Sequence, residues 1–149
     1  MTRHEIIDRQ HLSLEWQVLI AAATEARKQA YAPYSGFPVG AAVNTATGRV
    51  FAGCNVENAS SGLTVCAERV AIWKAVSNGE RAITALAVVT ATGATPCGAC
   101  RQVMSEFAVD FPILVANTQG QIWVTSLQEL LPYPFPRVNL PDIMSSSEG

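Results

Sequence analysis

Cys66-Ala67-Glu68-Arg69 and Thr95-Pro96-Cys97-Gly98-Ala99-Cys100 bracket the stretch whose reading decides the fold. Between them Cys66–Ser77 has helical composition and is stopped by Asn78-Gly79. Ile83–Thr90 is a nearly continuous apolar run, the pattern of a strand buried on both faces. Pro96 suits a first helical residue, with Thr95 as its cap, and the second helix runs to about Ala108. Three of the four cysteines lie at the starts of these two helices. With a glutamate beside them, they form the residue set of a three-thiolate zinc site with a free carboxylate.

Outward from this stretch the chain reads as one α/β domain. Residues 12–30 predict a helix capped by Ser13, with Arg27-Lys28 near its C-terminal end. Tyr31-Ala32-Pro33-Tyr34-Ser35-Gly36 ends it in a turn-rich loop. Residues 39–44 and 49–56 read as an antiparallel hairpin. Residues 112–116 and 121–125 read as two further strands, antiparallel across a short turn, and 126–131 as a short helix. The strands at 49–56, 83–90 and 112–116 are linked by the two helices and so are expected parallel, with both helices on one face. Their N-termini then meet beyond the strands' C-terminal ends, where open α/β sheets place their chemistry. The expected architecture is three-layer α/β/α around a mixed five-stranded sheet. A single domain spans 1–149, with 1–11 and 142–149 as flexible ends.

The 149 residues are 49% apolar and 15% charged, a globular composition. Net charge is −2 and the pI about 5.6, with no basic stripe of the kind that grips phosphate backbones. Neither a signal peptide nor a run of ~18 apolar residues is visible. The expectation is a cytoplasmic protein with no nucleic-acid or membrane partner, its cysteines thiols or metal ligands. So little charge on a small domain favours burial between subunits.

Three thiolates around zinc leave a formal charge of −1, a poorer Lewis acid than a histidine site. Two helix N-termini, each about half a positive charge, offset this and favour thiolate over thiol. Arg69 can donate to the sulfurs. Three ligands leave a fourth position open for water, as catalytic zinc requires. Glu68 is offset from Cys66 by roughly 200° on a helix, a base's position rather than a ligand's. Cys54 reads as a small buried residue; as a fourth ligand it would instead close a structural site. His4 and His11, both near the N-terminus, read as surface residues.

At these residues the chain closely resembles the small homotetrameric cytidine deaminases that use three cysteines, over about Tyr34 to Phe135. The resemblance rests on Tyr34-Ser35-Gly36-Phe37-Pro38-Val39-Gly40-Ala41-Ala42, Gly53-Cys54-Asn55-Val56-Glu57-Asn58-Ala59, Cys66-Ala67-Glu68-Arg69 and Pro96-Cys97-Gly98-Ala99-Cys100-Arg101-Gln102-Val103-Met104. The cysteine motifs are the three-cysteine counterpart of H-x-E…P-C-x-x-C and indicate only the wider deaminase superfamily. Asn55 to Ala59 is what points to a nucleoside. The resemblance implies one zinc per chain on Cys66, Cys97 and Cys100, with Glu68 carrying protons between water, N3 of cytosine and the departing ammonia. It implies Asn55 and Glu57 on the ribose, Phe37 as a pocket aromatic, the Ala67 N–H and Thr95 carbonyl on the base, and Phe135 reaching a neighbouring subunit's site. The product is uridine or deoxyuridine, as in pyrimidine salvage.

The chain departs from the pattern at Ser60-Ser61-Gly62, where many relatives carry a bulky aromatic at the position of Ser61. That bears on neighbour contacts and fine specificity. Two other readings stand beside the first: a deaminase of a modified cytosine nucleoside such as an aminonucleoside antibiotic, and a non-catalytic zinc-stabilised binding module.

Overall fold

The computed structural model describes residues 5–137. Its elements, in chain order, are β1 (Ile6–Asp8), α1 (Leu14–Arg27), β2 (Gly40–Thr45), β3 (Val50–Cys54), α2 (Ala67–Ser77), β4 (Ile83–Thr90), α3 (Gly98–Phe107), β5 (Pro112–Asn117), β6 (Gln121–Ser126) and α4 (Leu127–Leu130). The strands form one mixed sheet in the order β1-β6-β5-β4-β2-β3.

The sheet therefore has six strands, not five. The extra one, β1, pairs antiparallel with β6 through Ile7 opposite Ile122. Three residues are too short to show a period of two, and only Ile7 is drawn towards the core. It lies within residues 1–11, expected as a flexible end; the other such segment, 142–149, and His4 fall outside the described residues.

β3, β4 and β5 share one direction, but only β4 and β5 are parallel neighbours. β2 stands between β3 and β4, antiparallel to both. The crossover through α2 thus steps over one strand, a detail that loop lengths do not reveal.

β4 shows how the layers are built. Ala85, Ala87 and Val89 face α1, packing with Leu19, Ile20 and Ala23. Leu86 and Val88 face the other way, against Ala71 and Ile72 of α2 and Cys100 and Met104 of α3. Apart from the exposed Thr84, the run at 83–90 is therefore buried on both faces, small side chains on one and large on the other. Ser13 caps α1 as expected, accepting from the Trp16 N–H at 3.3 Å. That helix ends at Arg27, shorter than the 12–30 expected.

α1 approaches β2 closely at Gly40. A Cβ there would lie 2.0 Å from the Ala23 carbonyl oxygen and 2.6 Å from the Arg27 nitrogen. Both are backbone atoms and cannot swing aside. Gly40→Ala is expected to destabilise the fold by about 3 kcal/mol, the upper end for overpacking. Thermal unfolding checks it: a Tm within a degree of wild type would mean that α1 can move off the sheet.

Candidate active site

α2 and α3 begin side by side on one face of the sheet, and their N-cap residues are Cys66 and Cys97. Pro96 therefore precedes the helix instead of opening it, and Thr95 is not the cap. Neither cysteine caps its own helix with its side chain, so both sulfurs are free to meet. The Sγ atoms of Cys66 and Cys97 are 3.7 Å apart and those of Cys97 and Cys100 3.5 Å. All three lie within 4.8 Å of one another. Zinc with Zn–S bonds of about 2.3 Å spaces tetrahedral sulfurs roughly 3.8 Å apart, so the donor set fits that ion.

The electrostatics favour a bound cation. The Cys66 thiol is pulled down to about 5, first by a hydrogen bond with Cys100 and then, against burial, by Arg69. Its partner Cys100 is pushed up by the same bond and by burial. The Arg69 Nη2 donates to the Cys66 sulfur at 3.3 Å, and its buried Nε has no partner among the described residues. A guanidinium with a donor to spare beside thiol sulfurs suits a cluster that gains negative charge when metal displaces its protons.

Glu68 is only 3% exposed, and burial pushes its carboxyl up. It borders a pocket of about 280 Å³ together with Cys66, Cys97, Phe37, Asn55 and Glu57. One cavity is thus bordered by two of the clustered thiols, a buried carboxyl, an aromatic ring and a polar rim.

A family model for the cytidine and deoxycytidylate deaminase zinc-binding region matches residues 15–115. The chain belongs to this deaminase family. It is 47% identical over 130 residues to a cytidine deaminase of Sporosarcina psychrophila, covering 85% of this chain and 96% of that one. It is 48% identical over 132 residues to a cytidine deaminase of Halalkalibacterium halodurans, covering 87% and 100%. The crystal structure of a cytidine deaminase from Burkholderia pseudomallei superposes with a TM-score of 0.78 at 50% identity, covering 83% of this chain and all of that one.

Within this deaminase fold most residues singled out by sequence converge, with some unexpected partners. Asn55 is buried, and its amide clamps the segment that carries Phe37. The Val39 N–H donates to Oδ1 at 2.8 Å, and Nδ2 donates to the Phe37 carbonyl at 2.9 Å. It thus builds the pocket wall while keeping one N–H and one lone pair open. Glu57 accepts from the backbone N–H groups of Tyr34 and Ser35, and from the Ser35 hydroxyl. These bonds, led by that of the Ser35 side chain, pull its carboxyl down. Thr95 lines the pocket. Ala67 is fully buried, its N–H at the open start of α2.

Phe135 is not brought to this pocket. It is 77% exposed and borders a separate groove with Val109 and Leu131. Cys54 lies elsewhere too, beside Ala22 and Ala26 of α1, on the opposite face of the sheet. It is not among the clustered thiols. His11 is exposed in a 3-10 turn (Arg9–His11).

Two supporting residues escaped the sequence reading. The Thr90 hydroxyl accepts from the N–H groups of Gly93 and Ala94, folding the loop that leads to Cys97. Arg101 donates to the Pro96 and Leu130 carbonyls and to the Thr95 hydroxyl. Its signal was its place beside Cys100 in the Pro96–Met104 motif, which says nothing of what a long side chain reaches.

Proposed function

We propose that this protein catalyses the zinc-dependent hydrolytic deamination of cytidine and deoxycytidine, releasing ammonia and leaving uridine or deoxyuridine for pyrimidine salvage. The observation that carries the reading is the buried Glu68 carboxyl beside a three-thiol cluster in a pocket rimmed by Phe37, Asn55 and Glu57. The names of the relatives support it.

Cys66, Cys97 and Cys100 would hold one zinc per chain, which supplies the Lewis acid that makes water nucleophilic at neutral pH. Glu68 takes the proton that water gives up and delivers it to N3 of the cytosine ring, making C4 electrophilic. Water oxygen adds at C4. Glu68 then takes the remaining proton from the hydroxyl now on C4 and passes it to the exocyclic amine; the C4–N bond breaks, ammonia leaves and the C4 oxygen becomes the carbonyl of uridine. Burial suits Glu68 to this work, because it raises the carboxyl towards a value at which it both accepts and returns a proton. Phe37 packs on the nucleoside, the open donor of Asn55 and the open acceptor of Glu57 take sugar hydroxyls, and the Ala67 N–H and Thr95 carbonyl hold the base.

Arg69 offsets the excess negative charge of three thiolates. Arg69→Gln is expected to weaken zinc binding about 10–100-fold, the usual cost of losing a hydrogen bond to a metal ligand. Competition with a zinc chelator measures it, and an unchanged affinity would return Arg69 to an ordinary helix residue.

We further infer a cytoplasmic homotetramer with active sites near the subunit interfaces. Support comes from the exposed apolar side chains Tyr34 and Val56 near the pocket loops, Leu63 and Trp73, and from Phe135 standing away from its own pocket. No helix of the described residues is long and apolar enough to cross a membrane. Sedimentation equilibrium tests the assembly, and a monomer would remove it.

Ammonia release from cytidine, deoxycytidine and a panel of base-modified analogues, measured with zinc content per chain, tests the whole reading. Turnover confined to a modified nucleoside would favour the antibiotic-type alternative. Zinc bound without turnover would favour the binding module.

A further inference from the structure

The rim of the pocket carries a hydrogen-bond relay whose direction is fixed. The Phe37 N–H donates to the Ser35 Oγ at 3.0 Å. Ser35 Oγ–H then donates to Oε2 of Glu57 at 2.5 Å. The polarity cannot run the other way, because a backbone N–H only donates and an ionised carboxylate only accepts. Oε1 of the same carboxylate takes the N–H groups of Tyr34 at 2.9 Å and Ser35 at 3.1 Å.

A carboxylate offers about four lone-pair positions. Two on Oε1 are filled by backbone donors and one on Oε2 by the serine hydroxyl, so a single acceptor position remains. Ser35, Phe37 and Glu57 all line the cavity that also contains Glu68. The open position therefore belongs to a group reading one hydroxyl, in a direction set by where Ser35 sits.

We propose that Ser35 is a specificity-determining positioning residue: its hydroxyl occupies one lone pair of Glu57 Oε2 and aims the other at one sugar hydroxyl of the nucleoside. This rests on the nucleoside reading above and deepens it. Donation from Phe37 polarises the serine hydroxyl and strengthens its bond to Glu57, coupling the ring that packs on the nucleoside to the carboxylate that reads its sugar. The lowered pKa of Glu57 keeps the carboxylate ionised, so it accepts a hydroxyl proton and rejects a second acceptor in its place.

Loss of the serine hydroxyl leaves Glu57 held only through Oε1 and free to turn about that contact. A sugar hydroxyl then meets a carboxylate of undefined direction. A ligand with no hydroxyl on the sugar ring never used that bond, and should not register the change.

The test is kcat/KM for cytidine and for 2′,3′-dideoxycytidine with wild type, Ser35→Ala and Ser35→Thr. Wild type is expected to prefer cytidine. In Ser35→Ala that preference is expected to shrink about tenfold, the scale of one hydrogen bond to a charged group, chiefly through the KM of cytidine. Ser35→Thr keeps a hydroxyl and should restore the preference. In a Glu57→Gln background, Ser35→Ala should leave the preference where Glu57→Gln alone puts it, since the two act through one bond.

An equal loss on both nucleosides would overturn the proposal in favour of a general loop role, as would an unchanged preference. An additive effect in the double variant would show that Ser35 does not act through Glu57. If Ser35→Ala does not fold, Ser35→Cys, similar in size and a weak donor, is read by the same criteria. A wild-type protein that deaminates neither nucleoside would sink the functional reading itself, an outcome distinct from a change confined to the variants.

Discussion

Glu68→Gln is expected to fold, keep its zinc and lose roughly 10²–10⁴-fold in kcat for cytidine, the contribution general acid–base catalysis usually makes. The three parts of that result have separate causes. Glu68 is almost fully buried and its carboxyl is pushed towards the protonated form. An amide has the shape of a carboxyl, so the exchange empties no cavity and adds no charge. Zinc stays because the thiols that would hold it come from Cys66, Cys97 and Cys100. Turnover falls because an amide cannot take a proton from water and hand it to the ring. Ammonia release, metal analysis and thermal unfolding on the same preparation read all three. Near-wild-type turnover would remove Glu68 from the mechanism, whereas loss of zinc would make it part of the metal site.

Cys97→Ala should instead abolish both metal and activity. It leaves two clustered thiols, too few to hold zinc with one open position, and stoichiometry after dialysis should fall from about one per chain to near zero. The fold should survive, since Cys97 is exposed and its side chain does not cap α3. The stability it loses is only what bound metal adds by mass action. Cys97→Ala and chelator-stripped wild type should therefore unfold within about two degrees of each other. Cys54→Ala is the control: that thiol lies against α1 on the far face of the sheet, and its removal should leave zinc and turnover intact. Stoichiometric zinc with activity in Cys97→Ala would take that residue out of the ligand set. Loss of zinc from Cys54→Ala would point to a closed structural site.

The two variants also mark where sequence reasoning is strong and where it fails. Cysteine spacing and the adjacent glutamate were legible because helix geometry is local: Cys97 at the cap and Cys100 three residues on must share a face. The double burial of Ala85–Thr90 was legible because a nearly continuous apolar run leaves no alternating solvent-facing row. β1 was not, because three residues carry no period and its pairing is with β6, more than a hundred residues away in sequence. Nor was the place of β2 between β3 and β4, which a hairpin allows but does not require.

Asn55 and Arg101 show the same divide at the level of single side chains. Nothing in the local pattern says that the Asn55 amide is half-spent on the backbone of Phe37 and Val39, or that Arg101 reaches Leu130 across 29 residues. Phe135 shows it by its absence from its own pocket, for its neighbours in sequence say nothing of where the C-terminal segment lies.

Residue types and short spacings were enough to mark three thiols suited to zinc and an adjacent carboxyl suited to moving protons; the nucleoside, and Asn55 and Glu57 as the pair for its sugar, came from the family resemblance. Their chemistry is carried within a few residues of chain. Three matters needed the folded chain. They are the isolation of Cys54 that leaves the site at three thiols, the burial that raises Glu68, and the filling of three of the four acceptor positions on Glu57. Each depends on how segments far apart in sequence pack, and burial and hydrogen-bond occupancy exist only once they have.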